Sequence, residues 1–351
     1  MKIKKPTLII LTPGFATDET DSTCLPFLQI FLKKLKENYP ELKILVLTFQ
    51  YPFFKGLYIW EEIEIISFNG RNRKKLFKLV LWNRILRKLK KIHSENNIIG
   101  ILSLWCGECA WIGKRFSRKY NLKHYCWLWG QDARKENKFV KRIHPDKSEL
   151  IALSDFLQSE FEKNFLIRPV HVIPPGIDPG QFNTKKLSRD IDILGVGSLI
   201  PLKRYDEFLY AVSELKKDYP DIKVVLCGNG PEEESLQIQK TKLNLSDNIQ
   251  FTGEIPHPDV LQLMQRSKIL LHPSSFEGFG CVCLEALYAG ANVISFCKPM
   301  KQEIKNWHIV QSEKEMIQRS IQILQSSPCE NESILPYSID DSVKKIMNLF
   351  S

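Results

Sequence analysis

Two glutamates separated by seven residues, Glu277 and Glu285, bracket the glycines Gly278 and Gly280 in the run Pro273-Ser274-Ser275-Phe276-Glu277-Gly278-Phe279-Gly280-Cys281-Val282-Cys283-Leu284-Glu285. Glycines so placed let a backbone approach a ligand closely, and a helix opening just after them presents unpaired N–H groups and a positive dipole end to an anion. A diphosphate fits that description. Glu285, a turn or so into the helix, can then accept hydrogen bonds from ribose hydroxyls, while Glu277 in the loop reaches sugar hydroxyls beyond the phosphates. The plainer reading is a solvated loop carboxylate and a surface helix carboxylate. Leu284, Ala286, Leu287 and Ala289 weigh against it, because they mark a helix with little solvent exposure.

The elements that must hold this run follow from the patterning. Apolar, β-branched runs at 7–11, 44–49, 98–104, 150–153 and 170–173 predict buried strands separated by helical segments. A second series follows at 191–196, 223–227, 249–251, 269–272 and 293–295. Such alternation predicts an α/β chain with parallel sheets covered on both faces. At 351 residues the chain exceeds what one core usually organises. The expected division is a first domain over 1–180, a second over 181–333, and a segment 334–351 whose helix packs back on the first domain. The linker is placed at Pro174-Pro175-Gly176-Ile177-Asp178-Pro179-Gly180, which suits neither regular element.

The E-x7-E segment resembles the signature of retaining glycosyltransferase family 4, the group 1 glycosyltransferases of GT-B fold, and the resemblance extends well beyond it. Gly197-Ser198-Leu199-Ile200-Pro201-Leu202-Lys203-Arg204-Tyr205-Asp206 resembles the loop where a basic residue meets the donor phosphates. Val225-Leu226-Cys227-Gly228-Asn229-Gly230-Pro231 resembles the next glycine-rich turn, and Phe251-Thr252-Gly253-Glu254-Ile255 the segment that cups the nucleobase. The resemblance implies two Rossmann-like, doubly wound parallel-sheet domains facing a cleft. It implies a nucleotide diphosphate sugar as donor substrate, with no metal ion and no cofactor. In the C-terminal domain the implied donor site comprises Ser198, Lys203, Arg204, Gly228, Gly230, Glu254, Ile255, Gly278, Phe279, Gly280 and Glu285. Lys203 takes over the charge neutralisation a metal provides elsewhere, and Glu277 positions the sugar. The implied reaction is front-face displacement, the leaving phosphate helping to deprotonate the incoming hydroxyl, so no protein nucleophile is needed. Ser198 stands where the family usually has arginine: either Arg204 compensates, or phosphate is held more weakly.

In the first half, Pro13-Gly14-Phe15 resembles the family's opening loop and places Gly14 and Phe15 among the donor contacts, although the usual double glycine is absent. The acidic, hydroxyl-rich loop 16–24 follows. Helix capping accounts for Asp21 or Ser22 as well as an acceptor contact does. Trp127-Leu128-Trp129-Gly130-Gln131-Asp132 resembles an HGxD-like segment with Trp129 where histidine is common. Asp132 is carried over as catalytic, while Trp129 either stacks on a pyranose ring or alternates with Trp127 into the core. The segments 151–156 and 172–178 match the remaining first-domain motifs.

The net charge is +10, and the segment from Arg71 to Lys91 alone holds ten basic residues and no acidic one. Leu79, Trp82, Leu86 and Leu89 recur within it at helical spacing. That describes a basic amphipathic helix lying on anionic lipid, or a sheet-covering helix with a solvated basic face; nucleic acid is not expected. A lipid-linked or glycan acceptor suits the first description. The four apolar residues Leu8 to Leu11 fall short of the roughly 7–15 a signal peptide requires, and no run approaches the roughly 18 of a membrane span. The expectation is a cytoplasmic chain, peripheral on the inner face of the membrane, in cell-surface polysaccharide or lipopolysaccharide synthesis. Nine scattered cysteines do not form a disulfide framework, and Cys106-Gly-Glu-Cys109 lacks a matching second pair for zinc. The alternatives are a catalytically impaired glycosyltransferase-like binding subunit and a GT-B-fold nucleotide-sugar epimerase. A Rossmann oxidoreductase is disfavoured because no G-x-G-x-x-G follows the first strand.

Overall fold

The computed structural model describes residues 5–73, 76–185, 187–326 and 332–351. Four residues of the basic N-terminal stretch, Lys74 and Lys75 of the basic segment, and 327–331 before the last helix lie outside the described residues. The chain divides into two compact units, Met1–Pro175 with Ile339–Ser351, and Gly176–Ser338.

The first unit is built on eight strands: β1 (Pro6–Thr12), β2 (Lys43–Thr48), β3 (Gly56–Trp60), β4 (Ile63–Ser67), β5 (Asn97–Leu104), β6 (Lys123–Trp127), β7 (Leu150–Ala152) and β8 (His171–Val172). Their order is β3-β4-β2-β1-β5-β6-β7-β8, parallel throughout except for β3. β1 lies at the middle, in register with β2 (Ile9 opposite Leu45) and β5 (Ile9 opposite Ile101). A parallel strand covered on both faces must be apolar on both, and all of β1 after Pro6 is buried. The helices are α1 (Pro26–Asn38), α2 (Leu76–Glu95), α3 (Glu108–Tyr120), α4 (Lys138–Ile143) and α5 (Asp155–Phe165).

Two features go beyond the sequence expectation. The hairpin β3–β4 turns on Glu61 and Glu62, both at positive φ (45° and 60°), a conformation usually signalled by Asn-Gly. Helix α2 turns Leu81, Trp82, Ile85, Leu89 and Ile92 inward over Ile66 and Phe68, so the stripe Leu79, Trp82, Leu86 and Leu89 is divided: Trp82 and Leu89 are buried, Leu86 is half-buried and Leu79 exposed. Glu108 at the start of α3 pins α2, accepting from Trp82 Nε1 (3.2 Å) and pairing with Lys78.

The second unit carries an all-parallel sheet of β9 (Ile191–Val196), β10 (Val224–Cys227), β11 (Ile249–Gly253), β12 (Ser267–His272), β13 (Asn292–Ser295) and β14 (Trp307–Ile309), in the order β11-β10-β9-β12-β13-β14. Its helices are α6 (Tyr205–Leu215), α7 (Glu233–Lys242), α8 (His257–Gln265), α9 (Cys281–Tyr288) and α10 (Glu313–Gln325). Phe208, Leu209 and Val212 of α6 fill the core with Ile193, Leu226 and Ile269.

The last helix, α11 (Ile339–Phe350), belongs to the first unit. It buries Ile339, Val343, Ile346 and Phe350, its Ser342 hydroxyl donates to the Pro174 carbonyl (2.9 Å), and Phe350 meets Tyr125 edge-on at 5.1 Å. Gly100 makes room for it: a Cβ there would stand 2.3 Å from the Phe350 ring. Among the described residues no helix is long and apolar enough to cross a membrane.

Candidate functional site

β9 and β12 lie side by side in the second unit, with earlier-paired β10 on one flank and later β13 on the other. The strand order reverses between them, and a ligand crevice forms outside the carboxyl ends of strands at such a point. The two loops leaving these ends are tied together. Leu202 in the first offers its carbonyl to the Ser275 N–H (3.0 Å) and to the Ser275 and Ser274 hydroxyls (3.1 and 3.3 Å). That lacing sets Lys203 Nζ 2.5 Å from Glu277 Oε1.

The same carboxylate oxygen meets His272 Nε2 at 3.0 Å. Burial alone would raise the Glu277 pKa, but the hydrogen bonds and charges of His272 and Lys203 outweigh it and hold the carboxyl well below the usual range. Beneath the pair, the Tyr205 hydroxyl is buried without a hydrogen-bond partner among the described residues, and burial followed by the Glu277 charge pushes its pKa upward. It occupies the space a side chain at Gly197 would need, 2.9 Å from the Cβ position.

Gly228 and Gly230 close the floor. The N–H of Gly197 donates to the Cys227 carbonyl (3.0 Å) and that of Leu199 to the Asn229 carbonyl (2.7 Å). A Cβ at Gly228 would fall 1.9 Å from the Gly197 carbonyl oxygen, and one at Gly230 2.4 Å from that of Leu199. Packing of loop on loop therefore requires both glycines. Glu254 is exposed and takes the Asn229 amide at 2.8 Å; Ile255 beside it is half-buried.

α9 opens at Gly280, whose φ of 87° a side chain would resist, and its first-turn N–H groups face the loop that carries Glu277. Gly278 is buried beside it. Phe279 is buried against Trp307 and Tyr337, so its ring is core and only its backbone is placed for a ligand. Glu285 is partly exposed and pairs with His257 Nε2 at 2.8 Å. Burial lowers the His257 pKa, the bond and charge of Glu285 raise it, and the net shift is upward. Ser198 is exposed. Arg204, at φ 53°, pairs with Glu207 and lies 5.0 Å over the Phe296 ring.

The remaining expected residues lie in the first unit. Gly14 is buried and accepts from the Thr12 hydroxyl (2.8 Å); Phe15 is wholly buried, edge-on to Trp60 at 4.9 Å, so its side chain is core. Asp21 organises its own loop, accepting from the N–H groups of Thr17 and Cys24 (both 3.1 Å). Trp127 is fully buried, while Trp129 stacks on Trp105 at 5.2 Å. Asp132 caps a 3-10 turn, accepting from the Trp129 N–H at 2.7 Å; burial raises its pKa to about 7 against those backbone bonds. It lines a cavity of about 420 Å³ with Trp105, Gln131, Arg134 and Asn137.

Three residues escaped sequence reasoning: His272, His257 and Tyr205. His272 ends β12 immediately before Pro273, and a polar residue closing an apolar strand just ahead of the loop was a readable signal. Nothing in the sequence links His257 to Glu285, 28 positions on. The Tyr205 ring satisfies the apolar pattern of α6, which hides its hydroxyl.

Residues 179–334 match the family model described as glycosyl transferases group 1. The phosphatidylinositol N-acetylglucosaminyltransferase gpi3 subunit of Schizosaccharomyces pombe is 29% identical over 250 residues, covering 70% of this chain and 49% of the relative. The 2-deoxystreptamine N-acetyl-D-glucosaminyltransferase of Niallia circulans is 27% identical, with 44% and 37% covered. The chain thus spans about half or less of these curated relatives. Among solved structures, a glycosyltransferase from Rickettsia africae superposes with a TM-score of 0.72 over 98% of each chain at 14% identity. HepE of Anabaena, solved with UDP and glucose, gives 0.69 over 98% and 97% at 15% identity. Residues 179–334, nearly the whole second unit, belong to the group 1 glycosyltransferase family, within a chain of GT-B fold.

Proposed function

We propose that the chain transfers a sugar from a nucleotide diphosphate sugar to a glycan or lipid-linked acceptor, with retention at the anomeric carbon and without a metal ion or cofactor. The observation that carries this reading is the cluster of Lys203, Glu277 and His272 at the strand-order switch point, beside the open N-terminus of α9. The α9 N–H groups and Lys203 receive the diphosphate and stabilise the charge that develops as it leaves. Glu277, kept ionised, accepts hydrogen bonds from the donor sugar, and Glu285 accepts from the ribose. Glu254 and Ile255 border the base. Asp132 and the cavity beside it receive the acceptor. The reaction then needs no protein nucleophile: the leaving phosphate oxygen takes the acceptor proton on the face from which it departs.

Both named relatives are N-acetylglucosaminyltransferases, and one is a phosphatidylinositol enzyme subunit, which supports an N-acetylglucosamine donor and a lipid-linked acceptor. Surface polysaccharide or lipopolysaccharide assembly at the inner membrane face fits such an acceptor. The test is incubation with labelled UDP-, GDP- and ADP-sugars and a membrane extract, with and without EDTA, followed by NMR of the anomeric configuration. A product of retained configuration formed equally in EDTA supports the reading; an inverted product, or loss of activity in EDTA, overturns it. The engagement of Arg204 by Glu207 favours one second reading, an impaired subunit that binds donor without turning it over.

A further inference from the structure

Thirteen large apolar side chains stand exposed among the described residues, and eight of them fall between positions 53 and 80. They come from two segments. Phe53 and Phe54 precede β3, whose Leu57 and Ile59 are 60% and 57% exposed. Leu57 pairs with Ile66, and residues directly opposed across a ladder share a face. Ile66 belongs to the core under α2. Leu57 and Ile59 therefore carry the sheet's apolar face into solvent beyond the helix. The second set is the first turns of α2: Leu76 (75% exposed), Phe77 (63%), Leu79 and Val80.

Arginines join the two sets. Arg71 Nη2 donates to the Phe53 carbonyl at 2.9 Å and its guanidinium lies 5.3 Å over the Phe53 ring; Arg73 lies 5.6 Å over Phe77. Past Val80 the exposed side of α2 turns basic at Arg84 and Arg87, with the half-buried Lys88 beside them, and the described residues provide no ion-pair partner for these three. Nearby carboxylates are already taken: Glu61 by Lys33, Glu62 by Lys36, Glu64 by Lys43, and Glu108 by Lys78.

We propose that this surface, Phe53 to Ile59 together with the first turns of α2, inserts into an anionic lipid bilayer, with the arginines at the depth of the phosphates. An apolar centre rimmed by unneutralised cations matches a leaflet of hydrocarbon under anionic headgroups. A second copy of the chain would set arginine against arginine. Of the stripe Leu79, Trp82, Leu86 and Leu89, read from sequence as lipid-facing or sheet-covering, only Leu79 is among the inserting residues, and half of these lie on β3 and the loop before it. The proposal deepens the acceptor half of the function above, yet it is tested without donor, so either can fail alone.

The experiment is flotation of the full chain with vesicles of phosphatidylcholine alone and of phosphatidylcholine with phosphatidylglycerol. The wild type floats with the anionic vesicles only. Leu57→Ser combined with Phe77→Ser lowers its partition roughly tenfold or more, since each side chain loses its transfer into hydrocarbon. Arg84→Gln with Arg87→Gln weakens binding and flattens its salt dependence. A Phe77→Trp variant reports insertion independently, its emission shifting to the blue on anionic vesicles. UDP binding, measured alongside, stays at the wild-type value in all of them. The proposal is overturned if the wild type fails to float, if the apolar double variant floats unchanged, or if the Phe77→Trp emission does not move. Self-association that the apolar double variant dissolves, without flotation, would make the surface an interface between copies instead.

Discussion

Glu277 is anionic at neutral pH because two partners hold the same oxygen, Lys203 and His272, and this sets how stability must vary with acid. A carboxyl with a depressed folded pKa contributes stability that is fully present above its unfolded value, about 4.3, and is lost as pH falls through the folded one. The difference in urea midpoint between wild type and Glu277→Gln should therefore stay constant from neutral pH to about 5 and shrink below about 4. A gap that widens on acidification would contradict the assignment. Asp132 behaves oppositely, because burial raises its folded pKa to about 7. Its ionisation costs stability between about 4 and 7, so any role it has toward an acceptor is played with the carboxyl poised between its two forms.

At the scale of elements, the site depends on how three loops pack after β9, β10 and β12. Gly228→Ala would drive a Cβ into the Gly197 carbonyl, whereas Gly253, at φ 69°, has open space around its Cβ position. Gly253→Ala should cost only the left-handed backbone penalty, about 1–2 kcal/mol. Gly228→Ala should cost more and also weaken nucleotide binding, since the loop that carries Lys203 must shift; equal urea midpoints and equal affinities for the two variants would refute this. Much of this was legible in sequence. Ten strands showed themselves as apolar runs and Glu277 and Glu285 by their placement around glycines, while Lys203 entered only through the family resemblance of its loop. The β3–β4 hairpin was hidden because its turn uses two glutamates at positive φ, and β6 because Lys123 and His124 break its apolar run. The stripe Leu79, Trp82, Leu86 and Leu89 left lipid contact and sheet cover both open, and only packing divides it: Trp82 and Leu89 are buried, Leu86 is half-buried and Leu79 exposed. Phe15 and Phe279 sit in loops that resemble ligand contacts, yet their rings fill cores, which only packing reveals.

At the scale of the molecule, the chain builds its second unit, 176–338, from a continuous stretch and then returns α11 to the first. The four large apolar side chains of α11 buried there leave open core if the helix is removed. Deleting 339–351 should lower the melting temperature of the first unit while nucleotide binding by the second persists; a loss of both together would mean the units are not independent. The central claim is that the second unit holds a nucleotide diphosphate sugar at Lys203, Glu285 and the start of α9 without metal. Its most direct test is a thermal shift of wild type, Lys203→Ala and Glu285→Ala with UDP, GDP and ADP and their sugar conjugates, with and without EDTA. Ligand at about 100 times its dissociation constant stabilises by roughly 2.7 kcal/mol. The account predicts that one nucleotide diphosphate raises the wild-type melting temperature equally with and without EDTA and that both variants lose most of the shift. Stabilisation abolished by EDTA, or undiminished in the variants, would contradict it.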